Sequence, residues 1–278
     1  MYLLFDIGGT NIRLAISKDG KAFDKPKIFL TSKNFNDGIG LIKKEVLEIS
    51  GGKKIKAVAG GIAGPLNKNK SKLAGSPNLP AWVGKPLKRA LEDSFGASVI
   101  IENDAAVVGL GEAVFGAGKG KSIVAYVTVS TGIGGARIVD GRIDKSSNGF
   151  EPGHQIINFN GKAYLPYETA GDLESYVSGG ALKNRYKKDP VDIEDKKIWN
   201  EINKNLAYGL HNIAVLWSPD VIVLGGGMIQ NDNIKLDELR KNLKSTLNIF
   251  AKPPLIKKAA LGSVGGLYGA IELLRQKL

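Results

Sequence analysis

The sequence predicts an α/β architecture built twice over, with a cleft between two lobes. Two glycine-rich segments carry that prediction: Leu4-Phe5-Asp6-Ile7-Gly8-Gly9-Thr10-Asn11-Ile12-Arg13 and Val127-Thr128-Val129-Ser130-Thr131-Gly132-Ile133-Gly134-Gly135. In each, an apolar run reads as a strand, a turn of glycine and small hydroxyl residues follows, and a second apolar run resumes. Helical periodicity comes after each, so the chain twice yields strands, a glycine turn and helices, although no sequence repeat is obvious. Glycine lets backbone approach a ligand, and successive N–H groups in such a turn form an anion-binding concavity. Two such turns, far apart in sequence, point to one polyphosphate and to phosphoryl transfer.

Strands are expected at Tyr2–Ile7, Ile12–Ser17 and Lys27–Leu30, the latter two separated by the turn Lys18-Asp19-Gly20-Lys21. Ile39, Ile42, Val46 and Ile49 recur at helical spacing within a helix from Phe35 to Ile49. Ala57-Val58-Ala59 reads as a buried strand, and Gly60-Gly61-Ile62-Ala63-Gly64-Pro65 as a tight loop. A helix from Pro86 to Phe95, a strand from Ser98 to Ile101 and a small-residue helix from Ala105 to Phe115 complete the first half. The second half opens with strands at Ser122–Val129 and Ala136–Val139, the latter ending at the hairpin signal Asp140-Gly141. A loop-rich region from Lys145 to Ser178 precedes a long helix, Ile198 to Trp217, stopped by Ser218-Pro219. Val221–Leu224 is a strand broken at Gly225-Gly226-Gly227, and a last helix spans Leu267 to Leu274. The smaller lobe is expected over 1–105, completed by a C-terminal helix at 266–278, and the larger over 106–265.

The 278 residues contain no cysteine, which excludes disulfides, thiolate zinc sites and cysteine nucleophiles. No apolar run reaches the length of a membrane span, and Tyr2–Ile7 lacks a basic leader, so a cytoplasmic protein without membrane partners is expected. The net charge of +12 comes from lysines in short clusters such as Lys53-Lys54-Ile55-Lys56, Lys68-Asn69-Lys70 and Lys187-Lys188. Neither an arginine stripe nor an aromatic-interleaved basic patch appears. That favours a solvated surface over nucleic-acid binding.

Asp6 closes a buried strand just before Gly8-Gly9, where a carboxylate can hold Mg²⁺, directly or through water, beside phosphate cradled by Gly8, Gly9 and Thr10. Thr10 and Arg13 add hydroxyl and guanidinium donors. The same pattern also serves a tight hairpin capped by Asp6. Asp104, at a strand's end, is placed to take a proton from a hydroxyl, or to cap a helix as Asn103 also can. Glu151-Pro152-Gly153-His154 is a shaped loop presenting an acid and an imidazole, groups that suit polyol hydroxyls or a structural histidine. Glu174 begins a helix-like segment. Asn78 and Trp82 flank a proline loop, with Trp82 expected to pack the lobe. His211, inside the long helix, reads as structural or surface.

Together these segments resemble the ROK family of sugar kinases, within the actin/hexokinase-like (ribonuclease H-like, duplicated) superfold. Asp6–Arg13 is similar to its first phosphate motif, and Ser130–Gly135 to its second. Gly61–Pro65 and Asn78–Trp82 resemble its sugar-lobe loops, and Glu102-Asn103-Asp104-Ala105 the segment with the catalytic aspartate. Glu151–His154 is like its Glu-x-Gly-His sugar loop, Leu173–Gly179 the stretch that follows, and Val221–Gly227 its adenosine-side strand. The resemblance implies that Asn78, Asn103, Asp104, Glu151, His154 and Glu174 bind a hexose, glucose favoured. Asp104 would be the general base toward its hydroxyl, usually O6. Asp6 (near Mg²⁺), Gly8, Gly9, Thr10, Asn11, Arg13, Thr131, Gly132 and Gly134 would hold ATP phosphates, and Gly226 and Gly227 the adenosine. A homodimer is the family's habit.

One departure stands out. Many members hold a structural zinc through the Glu-x-Gly-His histidine and nearby cysteines, which this chain lacks, so no zinc is expected. Tyr164 and Tyr167 are expected to brace the loop instead, in the stretch that also carries Pro166 and Glu168, leaving His154 free to contact sugar. Other readings stay open: inorganic polyphosphate as donor, an N-acetylhexosamine, mannose or fructose as acceptor, or a sugar-binding protein without turnover. The repressors of the family carry a helix-turn-helix region ahead of the core, for which a first strand at Tyr2 leaves no room.

Overall fold

The computed structural model describes residues 1–163, 169–230 and 234–277. The expected brace from Tyr164 and Tyr167 lies outside them. By contacts the chain divides into two compact units: residues 1–115, 145–149 and 261–278, and residues 116–144 and 150–260.

The first unit opens with β1 (Tyr2–Ile7), β2 (Asn11–Ser17), β3 (Lys27–Leu30), α1 (Phe35–Ser50) and β4 (Ala57–Ile62). It continues with α2 (Leu87–Phe95), β5 (Ser98–Asn103) and α3 (Asp104–Val114). The second comprises β6 (Ile123–Val129), β7 (Ile133–Val139), β8 (Arg142–Ile143), α4 (Leu173–Val177), α5 (Gly179–Tyr186) and α6 (Lys196–Trp217), then β9 (Val221–Gly225), α7 (Gly227–Gln230), α8 (Leu236–Thr246) and β10 (Leu255–Lys258). Helix α9 (Gly265–Arg275) belongs to the first unit.

Each unit holds one sheet, and the two share a plan. The first has the order β3-β2-β1-β4-β5 and the second β10-β9-β6-β7-β8. In each, the opening three strands pair antiparallel and two later strands add in parallel to the first. The duplication expected from the glycine turns is thus a duplication of topology. Parallel strands covered on both faces need apolar residues at every position, and β4 and β9 are buried throughout. Each unit has its own core: Leu3, Phe5, Ile12, Val58 and Trp82 lie in one, Val127, Leu173, Leu206, Ile222 and Leu224 in the other.

Helix boundaries follow local chemistry. The Asn34 side chain accepts from the N–H groups of Asn36 and Asp37 at the start of α1, and Gly51 ends it with φ +59°. Ser218, in the left-handed region before Pro219, ends α6. Trp82 packs edge-to-face on Phe35 and donates its indole N–H to the Ser32 carbonyl, as its expected packing role requires.

The structure corrects one reading of glycine. Gly60 and Gly61 continue β4 as strand residues, and the loop begins at Ala63. A Cβ on Gly60 would lie 2.0 Å from the Phe5 carbonyl oxygen, and one on Gly61 2.9 Å from Asp104 Cα. These glycines admit close neighbours and do not turn the chain. Gly134 and Gly135 are likewise residues of β7, where a Cβ on Gly135 would meet the Tyr126 carbonyl oxygen at 2.5 Å.

Helices α3 and α9 touch backbone to backbone at glycine. A Cβ on Gly269 would sit 1.8 Å from the Val107 carbonyl oxygen, and one on Gly111 2.4 Å from that of Gly265. Gly269→Ala is expected to cost about 3 kcal/mol or more, because backbone cannot repack around the methyl group. Gly40 in α1 meets nothing within 4 Å, so Gly40→Ala should instead gain roughly 0.5–1 kcal/mol through helix propensity. Denaturant melts of the two variants should move in opposite directions.

Candidate active site

In the first unit the predicted residues gather at the carboxyl ends of β1, β4 and β5, where open α/β sheets bind ligands. Register sets Asp6 opposite Arg13 of β2 and Gly61 of β4, and Gly61 opposite Glu102 of β5. Gly61 also faces the backbone of Asp104. Asn103, not Asp104, caps α3: its Oδ1 accepts from Ala106 N at 3.1 Å, and its Nδ2 donates to the Gly64 carbonyl at 3.1 Å. That settles the capping alternative. Asp104 is the first helical residue, part-exposed, with Oδ1 accepting from Ala105 N at 2.9 Å. Asn103 is thus the N-cap, and Asp104 follows it in the first turn of α3.

The turn after β1 is tied down from behind. Gly8 N donates to the Asn11 carbonyl, Thr31 N to that of Thr10, and Thr31 Oγ1 to that of Gly8. The N–H groups of Gly9 and Thr10 have no acceptor among the described residues, and both residues are exposed. Two adjacent unpaired donors on a rigid turn fit an anion. Gly9 has a second reason to lack a side chain, since its Cβ would lie 2.6 Å from Asn78 Cβ.

Asp6 packs, largely buried, against the first turn of α9, where a Cβ on Gly266 would approach its Cγ to 2.9 Å. Arg13 Nη1 stands 3.5 Å from Asp6 Oδ2, and Arg13 Nε is buried without a partner among the described residues. Burial pushes the Asp6 carboxyl above the ordinary aspartate value, and Arg13 pulls it only partly back. A buried carboxylate with one long ion pair, beside an orphaned guanidinium nitrogen, fits a cation and a phosphate together.

The raised value has a consequence for stability. The contribution from holding the proton in the folded state is complete below the ordinary aspartate value and is lost as pH rises through the raised one. At neutral pH the ionised group therefore costs stability. Asp6→Asn should raise Tm at pH 7, and the gain should shrink in melts run in acid.

In the second unit, the turn Ser130–Gly132 is held by Ser130 N donating to the Gly132 carbonyl at 2.9 Å. Gly179 N and Gly180 N, at the start of α5, donate to the carbonyls of Ser130 and Thr131. The N–H groups of Thr131 and Gly132 have no acceptor among the described residues. The open donor pair thus recurs. Glu174, buried in α4, accepts from Ile133 N at 2.5 Å, and a Cβ on Gly132 would lie 2.7 Å from its Oε2. Gly226, with φ +88°, packs on the residue before the turn, its Cβ position 2.3 Å from the Val129 carbonyl oxygen. Gly227 opens α7 with nothing within 4 Å of its Cβ position.

Glu151 and His154 are exposed, but the Pro152-Gly153 between them is fixed against β7. Pro152 Cγ lies 2.7 Å from the Cβ position of Gly135, and the Cβ position of Gly153 lies 2.4 Å from the Ile133 carbonyl oxygen. Burial raises the Glu151 carboxyl, and His154 opposes the rise. One ring nitrogen of His154 is engaged: its Nδ1 lies 3.2 Å from Oδ2 of Asp172, a fully buried residue that the sequence reading did not single out. The signal for Asp172 was local, an N-capping aspartate ahead of Leu173. Asn11 and Gly134 are strand residues, first in β2 and second in β7. His211 lies part-exposed in α6, with Nδ1 buried and unpartnered among the described residues. The lysine clusters at 53–56, 68–70 and 187–188 are exposed apart from Ile55. Among the described residues no helix is long and apolar enough to cross a membrane, and no group of three or more His, Asp or Glu could hold a metal.

A model of the ROK family matches residues 2–277. A glucokinase of Streptomyces coelicolor is 30% identical over 309 residues, covering 98% of this chain and 96% of its own. An N-acetyl-D-glucosamine kinase of Histophilus somni is 27% identical over 310 residues, covering 98% of each. Among solved structures, a ROK family glucokinase from Streptomyces griseus in complex with glucose and AMPPNP is 26% identical, with 99% of both chains covered and a TM-score of 0.81. Family and fold agree from end to end: the chain belongs to the ROK family and has the actin/hexokinase-like α/β fold of that family's sugar kinases.

Proposed function

We propose that this chain is an ATP-dependent hexokinase that phosphorylates a hexose, glucose favoured, at O6, with Asp104 as general base. The observation that carries the reading occurs once in each unit. A residue assigned to the sugar is packed against a turn assigned to phosphate: Asn78 on Gly9, and Glu174 on Gly132. Acceptor and donor sites that abut in both units are what transfer between them requires.

In this reading Asn78, Asn103, Glu151, His154 and Glu174 orient the hexose, and Asp104 accepts the proton as the sugar oxygen bonds to the γ-phosphorus. The bond to the β-phosphate oxygen breaks, and ADP leaves. The open N–H pairs at Gly9-Thr10 and Thr131-Gly132 hold phosphate oxygens, with Arg13 adding charge, and Gly226-Gly227 line the adenosine side. Bound near Asp6, Mg²⁺ supplies neutralisation of phosphate charge. Catalysis is then mostly positioning and electrostatics. A cytoplasmic homodimer is proposed on the family's habit and the cysteine-free composition.

The Histophilus relative favours a second acceptor, an N-acetylhexosamine. A coupled ADP-release screen over glucose, mannose, fructose and the N-acetylhexosamines, with added Mg²⁺, tests the reading, run with ATP and then with polyphosphate. Turnover of glucose with ATP supports it. Turnover of an N-acetylhexosamine alone would change the acceptor, and sugar binding without any ADP release would end the reading.

A further inference from the structure

We infer that Asp172 is a positioning residue that fixes the ring of His154 in the Nδ1–H form, so that Nε2 meets a substrate hydroxyl as an acceptor. The consequence for sugar binding rests on the hexokinase reading above; the ring form does not.

Asp172 is 0% exposed, and its two oxygens have separate duties. Oδ1 accepts from Ser175 N at 2.8 Å and Ser175 Oγ at 2.5 Å, capping α4, the helix that carries Glu174. Oδ2 accepts from Thr169 N at 3.3 Å and lies 3.2 Å from His154 Nδ1. One carboxylate therefore holds two residues proposed to bind sugar. Its place is set by backbone pairing: Ile156 bridges to Asp172, Leu173 N donates to the Gln155 carbonyl, and Ile157 N and Asn158 N to that of Gly171.

A buried carboxylate is worth its desolvation only when donors surround it. A ring nitrogen turned on such an oxygen brings its own proton, which leaves the opposite nitrogen of the neutral ring with a lone pair. Nε2 has no partner among the described residues, and the His154 side chain is 45% exposed. With Glu151 close enough to interact electrostatically, the loop presents two acceptors to a polyol, and each selects a hydroxyl that donates.

The chain has two histidines, so ¹⁵N NMR of the imidazole nitrogens, with His154→Gln for assignment, reads the ring form directly. The Nδ1–H form is expected in the wild-type protein. In Asp172→Asn the amide oxygen still caps α4 while the NH₂ faces the ring, which should convert His154 to the Nε2–H form. The hexose KM should rise about 10–100-fold, the scale of losing a partner that orients a functional histidine, with the ATP KM little changed. Ser175→Ala, which weakens the same cap without touching the ring, should leave the hexose KM near wild type. If Asp172→Asn fails to fold, Asp172→Ser retains a capping oxygen without reach to the ring and should also lose the Nδ1–H preference. An Nε2–H ring in the wild-type protein, an unchanged ring in the folded variant, or an equal KM rise in Ser175→Ala would overturn the inference. The spectrum is recorded without substrate, so the ring form is decided even for a chain that turned over no hexose.

Discussion

Asp104→Asn should lower kcat by about 10²-fold or more while hexose binding survives, because the amide keeps the shape of the carboxylate but cannot take a proton. Helix capping rests on Asn103, whose Oδ1 receives the Ala106 N–H, so the substitution at 104 removes no cap. Fold and melting temperature are expected to stay close to wild type. Calorimetric titration with the hexose, alongside steady-state rates, separates the two effects. Near-normal turnover would remove Asp104 from the role of base, and lost sugar binding would make it a ligand first.

The second large effect is expected at Gly132. A methyl group there would sit 2.7 Å from Glu174 Oε2, an oxygen already receiving the Ile133 N–H at 2.5 Å. Either the Glu174 carboxylate or the turn must give way. Displacement of about an ångström at a reacting site costs on the order of 10²-fold, so Gly132→Ala should lower kcat/KM by about that factor. Gly132 is not among the glycines with positive φ, so no backbone strain should accompany the change. A folded Gly132→Ala protein with normal kinetics would show that the contact between Glu174 and the turn does not matter to the reaction.

The strand–turn–strand units were legible because parallel strands buried on both faces must be apolar throughout, and Val221–Leu224 and Tyr2–Ile7 are nearly so. The turns at Gly8–Thr10 and Ser130–Gly132 were legible from glycine and hydroxyl clustering. What glycine does there was less so. At Gly60, Gly61 and Gly135 it stands inside strands to admit Phe5, Asp104 or Tyr126, partners on other elements of the fold. Single-chain reading treats glycine as punctuation and has no access to such partners. Helix α8 and strand β10 escaped notice for a similar reason: Leu255–Lys258 is a short edge strand with only Ile256 buried, too weak a pattern to stand alone. Asp172 caps α4, a role that its place ahead of Leu173 allows. Its second bond to His154 joins positions eighteen apart, across a loop without periodicity.

The central claim is that Asp104 faces a hexose hydroxyl whose new phosphate comes from a donor held at both glycine turns. A crystal structure of this chain with glucose and a non-hydrolysable ATP analogue tests it most directly. The account predicts the sugar O6 at about 2.6–3.2 Å from an Asp104 carboxylate oxygen. It also predicts phosphate oxygens on the N–H groups of Gly9-Thr10 and Thr131-Gly132. A hexose bound out of reach of Asp104, or a triphosphate that touches neither turn, would contradict it.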